Sequence, residues 1–69
     1  MKVNNRVRYY RDIKGITQNK MAIDLNVSRQ TIVAIENKKY NPSLELALKI
    51  VKYLALPIDE LFWLEGDIE

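Results

Sequence analysis

The stretch from Thr17 to Asn37 leaves this chain few choices. Thr17 and Ser28 both carry a side-chain oxygen suited to the position just before a helix. Apolar residues follow each at helical spacing: Met21, Ala22 and Leu25 after the first, Ile32 and Ile35 after the second. Only Asn26 and Val27 lie between the two predicted helices. So short a link cannot return the chain in an antiparallel hairpin, and the helices must cross at a steep angle. Asn26 stands where the turn needs a left-handed backbone, which Asn tolerates better than any residue except Gly. Ala22 is small where the helices approach, and Val27 plugs the turn into the core.

That pair, residues 17–37, reads as a helix-turn-helix unit. Caps and breakers divide the rest into further short helices. A first helix is predicted over residues 5–14, with Val7, Tyr10 and Ile13 at helical spacing and Gly15 closing it. Residues 38–42 form a loop, since Pro42 biases Asn41 away from helix. Ser43 caps a fourth helix to about residue 55. Leu44, Ala47, Leu48, Val51, Leu54 and Ala55 make one apolar stripe on it, and Leu46, Ile50 and Tyr53 a second. A helix apolar over so much of its circumference is central to the domain or shared with a partner. Pro57 suits the first turn of a short fifth helix ending near Phe62. Met1-Lys2-Val3 and Trp63-Leu64 are expected to pair as two short strands. The expected architecture is one all-α, five-helix domain over residues 1–69, closed by a short terminal two-stranded β-sheet.

The 69 residues include no Cys and no His. Disulfides and thiolate zinc sites are excluded, and the commonest metal ligand and usual general base are missing. Asp59 and Glu60 read as first-turn acids that favour the helix dipole, not as a catalytic pair. The expectation is a non-enzyme with neither metal nor cofactor. No run approaches the ~20 apolar residues that span a bilayer, and the N-terminal residues lack a signal peptide's apolar core. A soluble, cytoplasmic protein is expected, stabilised by its helical core, by oligomerisation, or by both.

A net charge of +2 conceals an asymmetry. Residues 1–58 carry eleven basic and four acidic side chains, whereas residues 59–69 carry five acids and no base. One end can face a polyanion while the other faces away. Ordinary solvated surface stays open as the alternative on charge alone.

The third helix decides between them. At about 100° per residue, with Arg29 at zero, Val33 falls at about 40°, Asn37 at about 80° and Gln30 at about 100°. Ile32 and Ile35 fall on the opposite side, so core and outward faces are separate. Arg29 suits guanine O6/N7 and Gln30 suits adenine N6/N7, while Val33 or Ala34 can meet a thymine methyl.

Arg11, Gly15, Thr17-Gln18, Met21-Ala22, Val27-Ser28, Ile32, Ile35-Glu36-Asn37, Asn41-Pro42-Ser43, Leu48-Lys49-Ile50 and Leu61-Phe62 stand where the Cro/CI (XRE) family of regulators has its characteristic residues. The chain resembles that family over residues 5–62. Within it, Ser-Arg-Gln-Thr-Ile at residues 28–32 and Tyr-Asn-Pro-Ser at residues 40–43 resemble the minimal cytolysin-repressor-like members. The resemblance implies a lambda-repressor-like fold and double-stranded DNA as partner. It implies that Arg29, Gln30, Val33 and Ala34 face bases, while Gln18, Ser28, Thr31, Asn37, Lys38, Lys39 and Tyr40 meet the phosphate backbone. Arg11 and Glu36 match a structural ion pair tying helix 1 to helix 3. Asn26 and Lys38 stand where the family commonly has glycine.

A single module makes few base contacts, and such proteins bind two-fold symmetric operators with half-sites ~34 Å apart. A homodimer on a palindromic operator is therefore expected, acting as a repressor and relieved through some regulatory protein. The candidate interface lies in residues 57–66, with Ile58, Leu61, Trp63 and Leu64, joined by Tyr40 and Ile50. Trp63 has a second reading, closing the base of the core. An antitoxin or protein-interaction module of the same fold is the alternative function. RNA binding ranks lower, because the outward face lacks aromatic stacking residues.

Overall fold

The computed structural model describes residues 2–66. Three helices begin as their caps dictate. Thr17 Oγ1 accepts from the Lys20 N–H at 3.0 Å and opens α2 (Gln18–Leu25). Ser28 Oγ accepts from the Thr31 N–H at 3.1 Å and opens α3 (Arg29–Glu36). Ser43 Oγ accepts from the Leu46 N–H at 3.2 Å and opens α4 (Leu44–Leu54). Each satisfies one backbone donor that a helix start leaves orphaned.

The N-terminal segment departs from its expectation. Asn5, expected as the start of the first helix, ends strand β1 (Lys2–Asn5), and α1 runs Val7–Ile13. The physical reason lies in the Asn5 side chain. Its Oδ1 accepts from the Val7 N–H at 3.2 Å, and its Nδ2 donates to the Ile35 carbonyl at 3.0 Å. Asn5 thereby turns the chain from strand to helix and pins that corner to α3. At the other end, α5 (Ile58–Leu61) stops one residue early, because Phe62 already belongs to β2 (Phe62–Glu65). The strands pair antiparallel, with Val3 opposite Leu64 and Asn5 opposite Phe62. The expected sheet is present and one to two residues longer on each side; Met1 lies outside the described residues.

Val7, Met21, Ile32, Ile35, Ile50, Leu54 and Leu61 are fully buried and form the core. On α4 the buried residues are Leu46, Ala47, Ile50 and Leu54, whereas Leu44 and Leu48 are 71% and 51% exposed. Ile13 also faces outward instead of completing the α1 stripe.

Tight exits connect the helices. Asn26 has the left-handed backbone expected of it, at φ 58°. Lys38 and Ala55 adopt the same conformation, at φ 61° and 57°. For Lys38 this resolves the geometry after α3: the lysine occupies the left-handed site that glycine would fill without strain. Among the described residues no helix is long and apolar enough to cross a membrane, and no cluster of three potential metal ligands occurs.

Candidate nucleic-acid interface

α3 has two distinct sides. Ile32 and Ile35 are sunk in the core, while Arg29 and Gln30 are exposed and Val33 and Ala34 half-buried. The four residues expected to read bases come together in one open concavity of about 400 Å³, which Asn37 and Lys39 complete. Its walls combine hydrogen-bonding tips with two small apolar patches, the chemistry that base edges present in a groove.

Beneath this surface lies a charged anchor. Arg11 Nε donates to Glu36 Oε2 at 2.7 Å, and Arg11 Nη2 donates to Glu36 Oε1 at 3.2 Å. Arg11 Nη1 caps the chain end of the α1–α2 turn by donating to the Ile16 carbonyl at 2.6 Å. The carboxylate hydrogen bond and charge raise the guanidinium pKa beyond its ordinary value, so the ion pair stays charged. Both side chains are buried yet fully partnered, which is the condition for tolerating charge in a core.

Gln18 carries the anchor outward. Its Nε2 donates to Glu36 Oε1 at 3.0 Å, and its Oε1 accepts from Arg29 Nη2 at 3.3 Å. A hydrogen-bonded chain thus runs from Arg11 through Glu36 and Gln18 to Arg29. Sequence reading placed Gln18 on phosphate and missed its hold on Arg29. The available signal was position: both residues open helices, and the two helices cross there.

The other expected phosphate contacts divide. Ser28 Oγ and Thr31 Oγ1 lie 2.9 Å apart and hydrogen-bond each other at the start of α3. Lys39 and Tyr40 are exposed beside the concavity or in the loop beyond it. Lys38 lines a separate concavity with Arg6, Arg8 and Tyr9, on the α1 side. Its left-handed backbone turns it away from the residues grouped around Arg29.

Of the expected interface residues, Ile58 and Leu64 are 44% and 62% exposed. Leu61 and Ile50 are completely buried within the protomer and offer no surface to a partner. Both expectations are corrected: these side chains close the chain's own core beneath α4 and α5. Trp63 is half-buried, with the Arg6 guanidinium 5.0 Å over its ring.

Two capped helices crossing at a left-handed asparagine, within a five-helix domain, define a helix-turn-helix protein. The helix-turn-helix family model matches residues 7–61, and the chain belongs to this family, among the XRE-type regulators. It is 48% identical over 65 residues to an uncharacterised HTH-type transcriptional regulator of Methanocaldococcus jannaschii, MJ0272, covering 94% of this chain and 98% of that one. YgzD of Bacillus subtilis, named in the same way, is 43% identical over 65 residues with the same coverage. A crystal structure of a Bacteroides fragilis protein assigned to DNA binding superposes with a TM-score of 0.80 at 25% identity, covering 87% of this chain and 97% of that one. Regulators of this family are not an enzyme class.

Proposed function

We propose that this DNA-binding regulator is a homodimeric transcriptional repressor that lays α3 in the major groove of a two-fold symmetric operator. Arg29 donates to guanine O6/N7, Gln30 pairs with adenine N6/N7, and Val33 and Ala34 meet thymine methyls. Gln18, Ser28, Thr31, Lys39 and Tyr40 lie along the phosphate backbone, where they set register without reading sequence. The observation that carries this reading is the shared concavity of Arg29, Gln30, Val33 and Ala34, opposite the buried Ile32 and Ile35. The Gln18–Arg29 hydrogen bond supports it, because a pre-positioned guanidinium loses less freedom when it docks.

Dimerisation is supported by exposed apolar side chains outside that face. Ile58 and Leu64 would be covered by a second copy, as would Leu44 and Leu48 of α4 if they join the same surface. Two copies on one side of the duplex place two recognition helices ~34 Å apart, one helical turn of DNA.

Selection of bound duplexes from a random pool tests the proposal. Wild-type protein should enrich a palindrome with half-site centres about 10 base pairs apart. Arg29→Ala and Gln30→Ala should each lose that preference and keep the wild-type circular dichroism spectrum. A pool without enrichment, or an unchanged consensus from both variants, overturns it. Sedimentation of the protein–operator complex at one protomer per duplex overturns the dimer.

A further inference from the structure

We infer that Asn37 reads a base edge, extending the sequence readout beyond the set carried by the start of α3. The inference rests on the proposed docking of α3 and deepens it. Position on the helix suggests a phosphate contact, because Asn37 lies just past the last helical residue. Placement in the fold says otherwise. Asn37 lines the same concavity as Arg29, Gln30, Val33 and Ala34. Its direction, about 80° from Arg29 around the helix, lies inside the arc bounded by Arg29 and Ala34.

The chemistry of the side chain fits that place. The Asn37 N–H is already spent on the Val33 carbonyl at 2.9 Å, so the backbone meets the needs of the helix end. The side chain is exposed, and among the described residues no hydrogen bond engages its amide. A free carboxamide offers one acceptor and two donors, the complement of adenine N6 and N7. A phosphate uses only the donors, and an uncharged amide displaces no counterion. Lys39, on the rim of the same concavity, is the better phosphate ligand.

Geometry fixes which base pair. Eight residues separate Arg29 from Asn37, a rise of about 12 Å along the helix. At about 3.4 Å per step, that distance covers three to four base pairs. Asn37 therefore reads an adenine about three base pairs from the position read by Arg29 in the same half-site.

Repeating the pool selection with Asn37→Ala, and measuring affinity for the wild-type consensus and its single-position variants, tests this. Preference should relax at one position per half-site, about three base pairs from the one relaxed by Arg29→Ala. Affinity for the consensus should fall about 5- to 150-fold, with an unchanged salt slope. Equal weakening on every sequence, or no change on any, overturns the inference while leaving the Arg29 reading intact. A profile that Arg29→Ala also leaves unaltered is the separate failure of the docking itself. Asn37→Asp should behave as Asn37→Ala in base preference, so a fold defect peculiar to one variant cannot decide the outcome.

Discussion

Arg11 and Glu36, 25 positions apart, form a buried ion pair with an N···O distance of 2.7 Å and side-chain exposures of 7% and 2%. This contact joins α1 to α3 and sets the base from which Gln18 reaches Arg29. Replacing one partner strands the other charge without water. Glu36→Leu should therefore cost about 3–5 kcal/mol in urea unfolding, much of the stability of so small a domain. The double variant Arg11→Met/Glu36→Leu should recover most of that loss, since a packed apolar pair can replace a buried ion pair. A single-variant loss under about 1 kcal/mol, typical of surface pairs, would show that the contact is not held dry.

Ala55 ends α4 in the left-handed conformation, at φ 57° and ψ 47°, and is exposed. An L-residue with a Cβ is strained there, and glycine is not. Ala55→Gly should raise stability by about 1 kcal/mol, net of the extra freedom glycine has in the unfolded chain. In a domain of this size that corresponds to a Tm increase of about 4–8 °C. Ala47→Gly, inside the same helix, should do the reverse by about 1 kcal/mol or more. A fall in Tm for both variants would refute the strain at Ala55.

Much of this was legible in the residues because local chemistry and global fold agree. Thr17, Ser28 and Ser43 cap what a cap should open, and Asn26 bends where only a tolerant residue can. The buried Arg11–Glu36 pair was likewise visible through the family resemblance. Less visible were features set by contacts between distant segments. Asn5 looked helical because its role depends on the Ile35 carbonyl, 30 residues away. Leu61 looked like an interface because hydropathy does not say which chain covers a leucine. The two stripes of α4 could not be ranked by periodicity, and packing against α2 and α5 buries Leu46 and Ile50 instead of Leu44 and Leu48. Gln18 was assigned outward because nothing local reveals that two hydrogen bonds already hold it.

Lys39 and Lys38 adjoin in sequence and diverge in space. Lys39 lines the concavity with Arg29, whereas Lys38 lines a different one with Arg6 and Arg8. Operator affinity should fall steeply with salt, and Lys39→Ala should reduce the slope of log K against log salt by about 1. Lys38→Ala should change the slope by less. Titrations of both variants over a range of potassium chloride check the contrast. Equal changes would place both lysines on the same phosphate track and refute their separation.

The Tyr53 hydroxyl donates to Asp24 Oδ2 at 2.6 Å, tying α4 to α2, while Lys20 donates to the other carboxylate oxygen at 2.9 Å. Burial, reinforced by the hydrogen bond to Asp24, pushes the phenol up to about 12. Tyr53, followed by Lys20, holds the Asp24 carboxyl below its ordinary range. The signs follow by linkage. Because the folded state binds the phenolic proton more tightly than the unfolded chain, this contribution is complete below an ordinary tyrosine value of about 10. It is lost as pH rises towards about 12. Asp24 works in the opposite direction: its contribution is present above the ordinary carboxylate range and lost as acid protonates the folded group. Tyr53→Phe should flatten the alkaline decline in Tm and abolish the late tyrosinate step in ultraviolet absorbance. It should remove only part of the acid decline, since Lys20 still holds Asp24. A variant whose alkaline decline matches wild type would mean that the hydroxyl does not carry this link between α2 and α4.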